Sequence, residues 1–283
     1  MRQTLRRAAI TGHPVTHSRS PLVHGYWLKK HGIKDAEYDR VDVPPMNAET
    51  YYRNFRESGL VGANITVPNK EVAARSCDRL DDAARTMGAV NTIWLDGSGR
   101  LCGANTDWLG FLGNLDQLAP GWDEKAGTAV VLGAGGAARA VVFALLARKF
   151  TRVHIVNRTL EKATKIADEF GSRTIAQSWD KLGTLLEEAD LLVNTTSLGM
   201  TGKPPLEIDL SPLPVSALVT DAVYAPLETD LLKQAAARGN RTVDGLGMLL
   251  HQAVPAFETW FGLRPEVDDE LRALVVADLG ASQ

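Results

Sequence analysis

A glycine-rich turn, and the cations that follow one strand later, carry the most specific chemistry in this sequence. Thr128-Ala-Val-Val-Leu132 runs directly into Gly133-Ala134-Gly135-Gly136-Ala137-Ala138 and then a helical run, which is G-x-G-x-x-A in strand-to-helix context. The first glycine permits a tight turn, the second lets the backbone approach a pyrophosphate, and Ala138 lets helix and strand pack closely. The helix N-terminus then offers unpaired N–H groups to phosphates. An NAD site would place a carboxylate about 20 residues downstream on the ribose 2′-hydroxyl, but strand Val153-His-Ile-Val156 ends in Asn157-Arg158-Thr159. Thr159 suits an N-cap, which puts Lys162 at N3, so Arg158 and Lys162 crowd a helix start that favours anions. A 2′-phosphate would resolve the misfit, whereas simple solvation of two surface cations would need no ligand. The pattern predicts NADP(H) over NAD(H).

A second set of polar residues lies in the first 107 positions. His17-Ser18-Arg19-Ser20-Pro21 precedes a helix, with Ser20 suited to N-cap and Pro21 to N1. The hydroxyls of Ser18 and Ser20 suit a carboxylate, although capping alone accounts for Ser20. Asn64-Ile-Thr66-Val-Pro68-Asn-Lys70 ends a strand and puts a lysine at a helix start, where the dipole disfavours a cation. Glu71 offsets that charge, and an exposed lysine is the ordinary alternative. Asn91 interrupts the apolar strand Ala89 to Trp94, and Asn105-Thr106-Asp107 ends the next strand. Thr106 or Asp107 could cap the following helix, and polar side chains at strand ends facing one crevice also describe an α/β ligand site.

The elements that must position these residues alternate. Ala8–Gly12, Tyr38–Val43 and Asn64–Val67 read as strands between helices at Pro21–His31, Ala48–Ser58 and Lys70–Cys77. A helix at Asp81–Met87 and strands at Val90–Trp94 and Leu101–Gly103, around the Asp96-Gly97-Ser98-Gly99 turn, complete this part. Such alternation predicts a mainly parallel sheet covered by helices. After the linker around Pro120-Gly121, strands at 128–132, 153–156, 191–195 and 218–223 predict a doubly wound sheet. Helical patterns at Met248–Phe261 and Asp268–Leu279 fit either half.

Composition bounds the function. The 283 residues are 45% hydrophobic with a formal net charge of −3, which excludes a broad positive field for nucleic acid or anionic lipid. Cys77 and Cys102 are too few and too separated for a disulfide framework, and no Cys/His cluster has zinc spacing, so the expectation is a cytoplasmic protein without metal. The run Ala8-Ala9-Ile10 after Arg6-Arg7 is far shorter than a signal peptide needs. Ala140–Ala147 is too short to cross a bilayer.

Taken together, the segments resemble the shikimate dehydrogenase family. The match runs from Gly12-His-Pro-Val-Thr-His-Ser-Arg-Ser-Pro21 through Asn64–Lys70, Met87-Gly-Ala-Val-Asn-Thr92, Gly103-Ala-Asn-Thr-Asp107, the glycine turn, Asn157–Thr159 and Asp221-Ala-Val-Tyr224 to Asp244-Gly-Leu-Gly-Met-Leu-Leu-His-Gln252. The resemblance implies reversible NADPH-dependent reduction of 3-dehydroshikimate to shikimate, in the pathway to aromatic amino acids. It also implies a substrate domain, 1–107, completed by helices from 248–283, and a Rossmann NADP-binding domain, 108–247, in a monomer or homodimer. Carried over by position, Ser18 and Ser20 would bind the substrate carboxylate. Thr66, Lys70, Asn91, Asp107, Tyr224 and Gln252 would contact the ring, with Lys70 and Asp107 the catalytic pair. Gly133 to Ala137 would hold the dinucleotide, Asn157, Arg158, Thr159 and Lys162 its adenosine phosphate, and Ala222 and Gly245 its nicotinamide, with Asp82 also approaching.

Departures from the family pattern are Gly25, where Asn is usual, and Ser197 in place of Pro in Asn194-Thr-Thr-Ser-Leu-Gly-Met200. Pro255 falls inside an expected helix, where it should introduce a kink. Two rivals stand beside this reading. A quinate/shikimate dehydrogenase would take a more hydroxylated ring and often NAD, against which Arg158 and Ser20 count. A non-enzymatic NADP-sensing regulator would have little need for both Lys70 and Asp107.

Overall fold

In the computed structural model, which describes residues 5–281, the apolar runs become strands and the amphipathic runs cover them; residues 1–4 and 282–283 of the expected domain ranges lie outside the described residues. The chain forms two units, the described residues of Met1–Thr106 with Gln252–Gln283, and Asp107–His251.

The first unit holds β1 (Arg6–Gly12), β2 (Ala36–Asp42), β3 (Gly62–Ile65), β4 (Arg79–Leu80), β5 (Thr92–Leu95) and β6 (Leu101–Ala104) in the order β2-β1-β3-β5-β6-β4. Its first four helices are α1 (Ser20–Lys30), α2 (Pro45–Arg53), α3 (Lys70–Ser76) and α4 (Asp82–Met87). The sheet is mainly parallel, as the alternation predicts, but β5 runs against both β3 and β6. The turn after β5 is the reason. Asp96 Oδ1 accepts from the backbone N–H groups of Ser98 and Arg100, and so short a link admits only an antiparallel return.

The second unit is a doubly wound sheet with every pairing parallel. Its strands are β7 (Thr128–Leu132), β8 (Arg152–Val156), β9 (Thr174–Gln177), β10 (Leu191–Asn194), β11 (Leu218–Asp221) and β12 (Arg241–Val243), ordered β12-β11-β10-β7-β8-β9. Its helices are α5 (Asp107–Leu118), α6 (Gly136–Ala147), α7 (Leu160–Phe170), α8 (Leu182–Leu186), α9 (Asp230–Ala237) and α10 (Leu246–His251). β7 is buried on both faces, which is why it reads as a continuous apolar run. Ala129 and Val131 pack with Val141, Leu145 and Ile155 on one side. Val130 and Leu132 pack with Leu186, Leu192 and Val219 on the other.

The two remaining helices, α11 (Ala253–Phe261) and α12 (Asp269–Ala281), return to the first unit. Trp260 Nε1 donates to the Ile93 carbonyl at 3.1 Å, and Trp27 Nε1 to Glu266 O at 2.9 Å. The single helical pattern at Met248–Phe261 is two helices, broken at Gln252. Pro255 lacks the N–H that would bond the His251 carbonyl and its ring clashes there, so it is accommodated only in the first turn of a new helix. The kink expected from Pro255 thus coincides with a one-residue interruption at Gln252, whose own backbone stays helical. No helix among the described residues is long and apolar enough to cross a membrane.

Candidate active site

Within the first unit, the reversal of β5 brings its start beside the ends of β3 and β6. Register pairs Thr92 with Asn64 on one side and Ala104 on the other. Asn91, only 2% exposed, therefore meets partners from distant segments. Its Nδ2 donates to Thr106 Oγ1 at 3.0 Å and Gln252 Oε1 at 3.1 Å. Its Oδ1 accepts from the Thr106 backbone N–H at 2.8 Å and Thr92 Oγ1 at 3.1 Å. All four hydrogen-bonding positions of the amide are used. The Thr106 hydroxyl has one proton, which goes to the Gln252 carbonyl at 2.7 Å.

The network continues inward. Asn64 Nδ2 donates to Thr92 Oγ1 and to the Asn91 carbonyl, both at 3.2 Å. Its Oδ1 accepts from Tyr38 Oη at 2.8 Å and meets His24 Nε2 at 3.2 Å. His24 stacks on Tyr38 with ring centroids 4.0 Å apart. Burial pushes its pKa down to about 3 against the opposing bond to Asn64, so the ring is neutral and Nε2 carries the proton toward Asn64.

Ser20 is nearly buried and Ser18 half-buried, with their hydroxyls 3.2 Å apart. The helix begins one residue earlier than its sequence suggests. Arg19 is the N-cap and Ser20 the first helical residue, with Ser18 Oγ accepting the Ser20 N–H at 3.3 Å. No side chain caps α1, and its first turn holds no acid. Thr66, just after β3, donates its N–H to Thr11 O at 2.9 Å. Lys70 is half-buried and opens α3, whose N-cap Asn69 spends its amide on the Val43 carbonyl instead of the helix. Asp82 begins α4 with its carboxylate exposed and paired with Arg85 at 2.7 Å.

In the second unit the strand order reverses between β7 and β10, which is where ligands bind in such sheets. Gly133 follows β7 at φ +106°, and a Cβ there would lie 2.8 Å from Thr195 Oγ1. Gly135, the N-cap of α6, and Gly136 face open space, with no side-chain cap and no acid in the first turn. Ala134 and Ala137 line the same turn. The cradle therefore has the bare backbone, room and dipole that a dinucleotide pyrophosphate requires.

One strand over, Asn157 Nδ2 donates to the Thr159 carbonyl at 2.8 Å. Thr159 is the N-cap of α7, but its side chain caps nothing. Arg158 and Lys162 are exposed and make no ion pair among the described residues, with exposed Glu161 in the same turn. This cationic corner fits a 2′-phosphate. On the β11 side, a Cβ on Gly245 would lie 2.6 Å from Ala222 C and O and from Asp221 O, so those backbones touch. Tyr224 is half-buried on the loop after β11, and Asp107 is half-buried as the first residue of α5.

Two residues that hold these groups escaped the sequence reading. Sequence leaves Thr106 between a helix cap and a strand-end ligand contact, and does not show that it holds Asn91 and Gln252. Asp221, 1% exposed at the end of β11, accepts from Asn194 Nδ2 and the Val223 N–H, both at 2.9 Å, and from Thr229 Oγ1 at 2.7 Å. Burial raises its pKa to about 6 despite those three donors. A polar residue ending an otherwise apolar strand is the signal that would have found both Asp221 and Asn194.

Comparison with known proteins identifies the family. Residues 10–93 match the family model for the shikimate dehydrogenase substrate binding domain, 118–200 that for shikimate / quinate 5-dehydrogenase, and 245–274 that for the shikimate 5′-dehydrogenase C-terminal domain. The chain is 57% identical to a shikimate dehydrogenase (NADP(+)) of Azorhizobium caulinodans, covering 98% of each. Among solved structures, quinate dehydrogenase from Corynebacterium glutamicum in complex with NAD has a TM-score of 0.88 at 30% identity, covering 96% of this chain and 99% of that one. Shikimate 5-dehydrogenase from Thermus thermophilus in complex with NADP(H) and shikimate has 0.82 at 34%, covering 98% and 100%.

Proposed function

The chain belongs to the shikimate dehydrogenase family, and on that premise we propose how its own residues perform the reversible NADPH-dependent reduction of 3-dehydroshikimate to shikimate. Bound NADPH supplies the hydride. Gly133 to Ala137 would cradle its pyrophosphate, and Asp82 is the residue of the first unit assigned to the dinucleotide by resemblance alone. Asn157, Arg158, Thr159 and Lys162 would take the adenosine phosphate, and Ala222 and Gly245 would meet the nicotinamide. Ser18 and Ser20 receive the substrate carboxylate, where the uncapped start of α1 favours an anion. Gln252, Thr66 and Tyr224 orient the ring hydroxyls together with Asn91, whose amide holds the Gln252 Oε1 in place.

Reduction of a ketone develops an alkoxide, which needs a cation and a proton. Lys70 supplies both, giving its Nζ proton to the new hydroxyl oxygen and regaining one from solvent. Asp107 is the carboxylate that balances its charge. The observation that supports this reading most directly is the exposed Arg158 and Lys162, which make no ion pair among the described residues, beside an uncapped glycine cradle, in a chain whose Asn91, Thr106 and Gln252 interlock. The free thiols of Cys77 and Cys102 fit a reducing compartment, and we place the enzyme in the cytoplasm as a monomer or homodimer.

The test follows NADPH absorbance with 3-dehydroshikimate, and NADP or NAD with shikimate and quinate, for wild type and Lys70→Ala. The expected result is turnover with the NADP and shikimate pair that collapses in Lys70→Ala. Binding of NADPH without turnover of any pair would make the protein a sensor, and faster quinate oxidation with NAD would reassign the substrate.

A further inference from the structure

We propose that Asp221 is a positioning residue for hydride transfer, acting by fixing the loop that carries Ala222 and Tyr224. This rests on the placement of the nicotinamide proposed above. The carboxylate ties both ends of that loop to the neighbouring strand. Oδ1 accepts from the Val223 N–H just inside the loop and from Asn194 Nδ2 at the end of β10, while Oδ2 accepts from Thr229, the N-cap of α9. The Ala222 N–H closes the arrangement by donating to Asn194 O at 2.8 Å. Asn194 is itself fixed, since its Oδ1 accepts from Thr196 N at 3.0 Å and Thr196 Oγ1 at 2.8 Å, which leaves Nδ2 to face Asp221.

From the opposite side Gly245 abuts Ala222, and its turn is held by Asn114 Nδ2 donating to the Asp244 carbonyl at 2.6 Å. The Ala222–Gly245 contact is thus clamped from both flanks by side chains that are each no more than 2% exposed.

The chemistry of the choice argues for position over bulk stability. Three donors converge on the group, so only an acceptor-only side chain satisfies them all, and an amide would turn an N–H against a donor. No cation pairs with Asp221 among the described residues. A buried carboxylate without a cation is costly, and such costs concentrate where geometry serves function. Helix α9 does not require it, because Thr229 Oγ1 already caps Leu232 N.

The experiment compares wild type with Asp221→Asn, Thr229→Val and Thr229→Ser. Fluorescence titration gives Kd for NADPH and for 2′,5′-ADP, a probe with the adenosine phosphates but no nicotinamide; steady-state kinetics give kcat and KM. In Asp221→Asn we expect kcat to fall about 10²-fold, the size of a roughly 1 Å misplacement. NADPH should bind more weakly while 2′,5′-ADP stays within about twofold, as for distant independent sites. Thr229→Val should shift the same readouts in the same direction, with Thr229→Ser restoring them. Equal weakening of NADPH and 2′,5′-ADP, or an unchanged kcat, would overturn the proposal. If Asp221→Asn fails to fold, Thr229→Val decides by the same criteria. Should the wild type not reduce 3-dehydroshikimate, a persisting split between the two ligands would still support the role of Asp221 while removing the substrate assignment.

Discussion

Replacing Thr106 by Val removes one hydroxyl and nothing else in volume, at a side chain only 4% exposed. Two bonds go with it: the donation to the Gln252 carbonyl at 2.7 Å and the acceptance from Asn91 Nδ2 at 3.0 Å. Each buried polar group left unpaired costs about 1–3 kcal/mol. Asn91 bears that cost in full, whereas half-buried Gln252 regains some water. The added methyl returns up to about 0.8 kcal/mol. The net expectation is a loss of about 1–3 kcal/mol, read as a lower urea midpoint with unchanged slope. Because Asn91 and Gln252 are both proposed ring contacts, KM for shikimate should rise while Kd for NADPH stays put. Thr106→Ser keeps the hydroxyl and should recover most of both effects. A valine variant within about 0.5 kcal/mol of wild type, with an unchanged KM, would refute the view that this hydroxyl organises the substrate amides.

Arg158→Ala should raise KM for NADPH roughly 10–100-fold, as expected for losing a charge-assisted bond of about 1.5–3 kcal/mol, with the rate on NADH unaltered; parallel losses on both cofactors would remove Arg158 from the phosphate site. Gly245→Ala forces a Cβ to 2.6 Å from backbone atoms that cannot rotate away, so a stability loss of about 1–3 kcal/mol and weaker NADPH binding are expected by thermal melt and titration, and wild-type values in both would contradict the contact. Acid should destabilise the protein. His24 and His251 have folded pKa values lowered by burial to about 3 and about 4, so the unfolded chain takes up their protons first and stability is lost as pH falls below about 6.5. Asp221, raised by burial to about 6, has the opposite sign, gaining stability as pH falls from there toward its ordinary value. The two histidines outweigh it, and a net loss on the order of 2 kcal/mol between pH 7.5 and 5 is expected from urea midpoints; a rise would reverse the ranking.

What the sequence determined by itself was the local chemistry. Strand, glycine turn and helix from Thr128 to Ala147 lie within one short stretch, and the need for a positive φ at Gly133 is written into the residue type. Arg158 and Lys162 were legible for the same reason, since a helix start is a local field. Short edge strands were not: β9 is mostly half-buried and β12 has three residues, too little pattern to stand out. The start of α1 also lies one residue earlier than its residue types suggest, because the backbone turns helical at Ser20 itself and leaves Arg19, which has no capping side chain, at the N-cap.

The tertiary structure alone decided which polar residues act together. Asn91 meets Thr106 across 15 positions and Gln252 across 161, and Asp221 joins the ends of two strands and a helix cap. A side chain's type states what bonds it needs, but a buried group must find its partners in whatever the fold brings within about 3 Å. The antiparallel return of β5 and the helix break at Gln252 supply those partners, and neither is a property of any one segment.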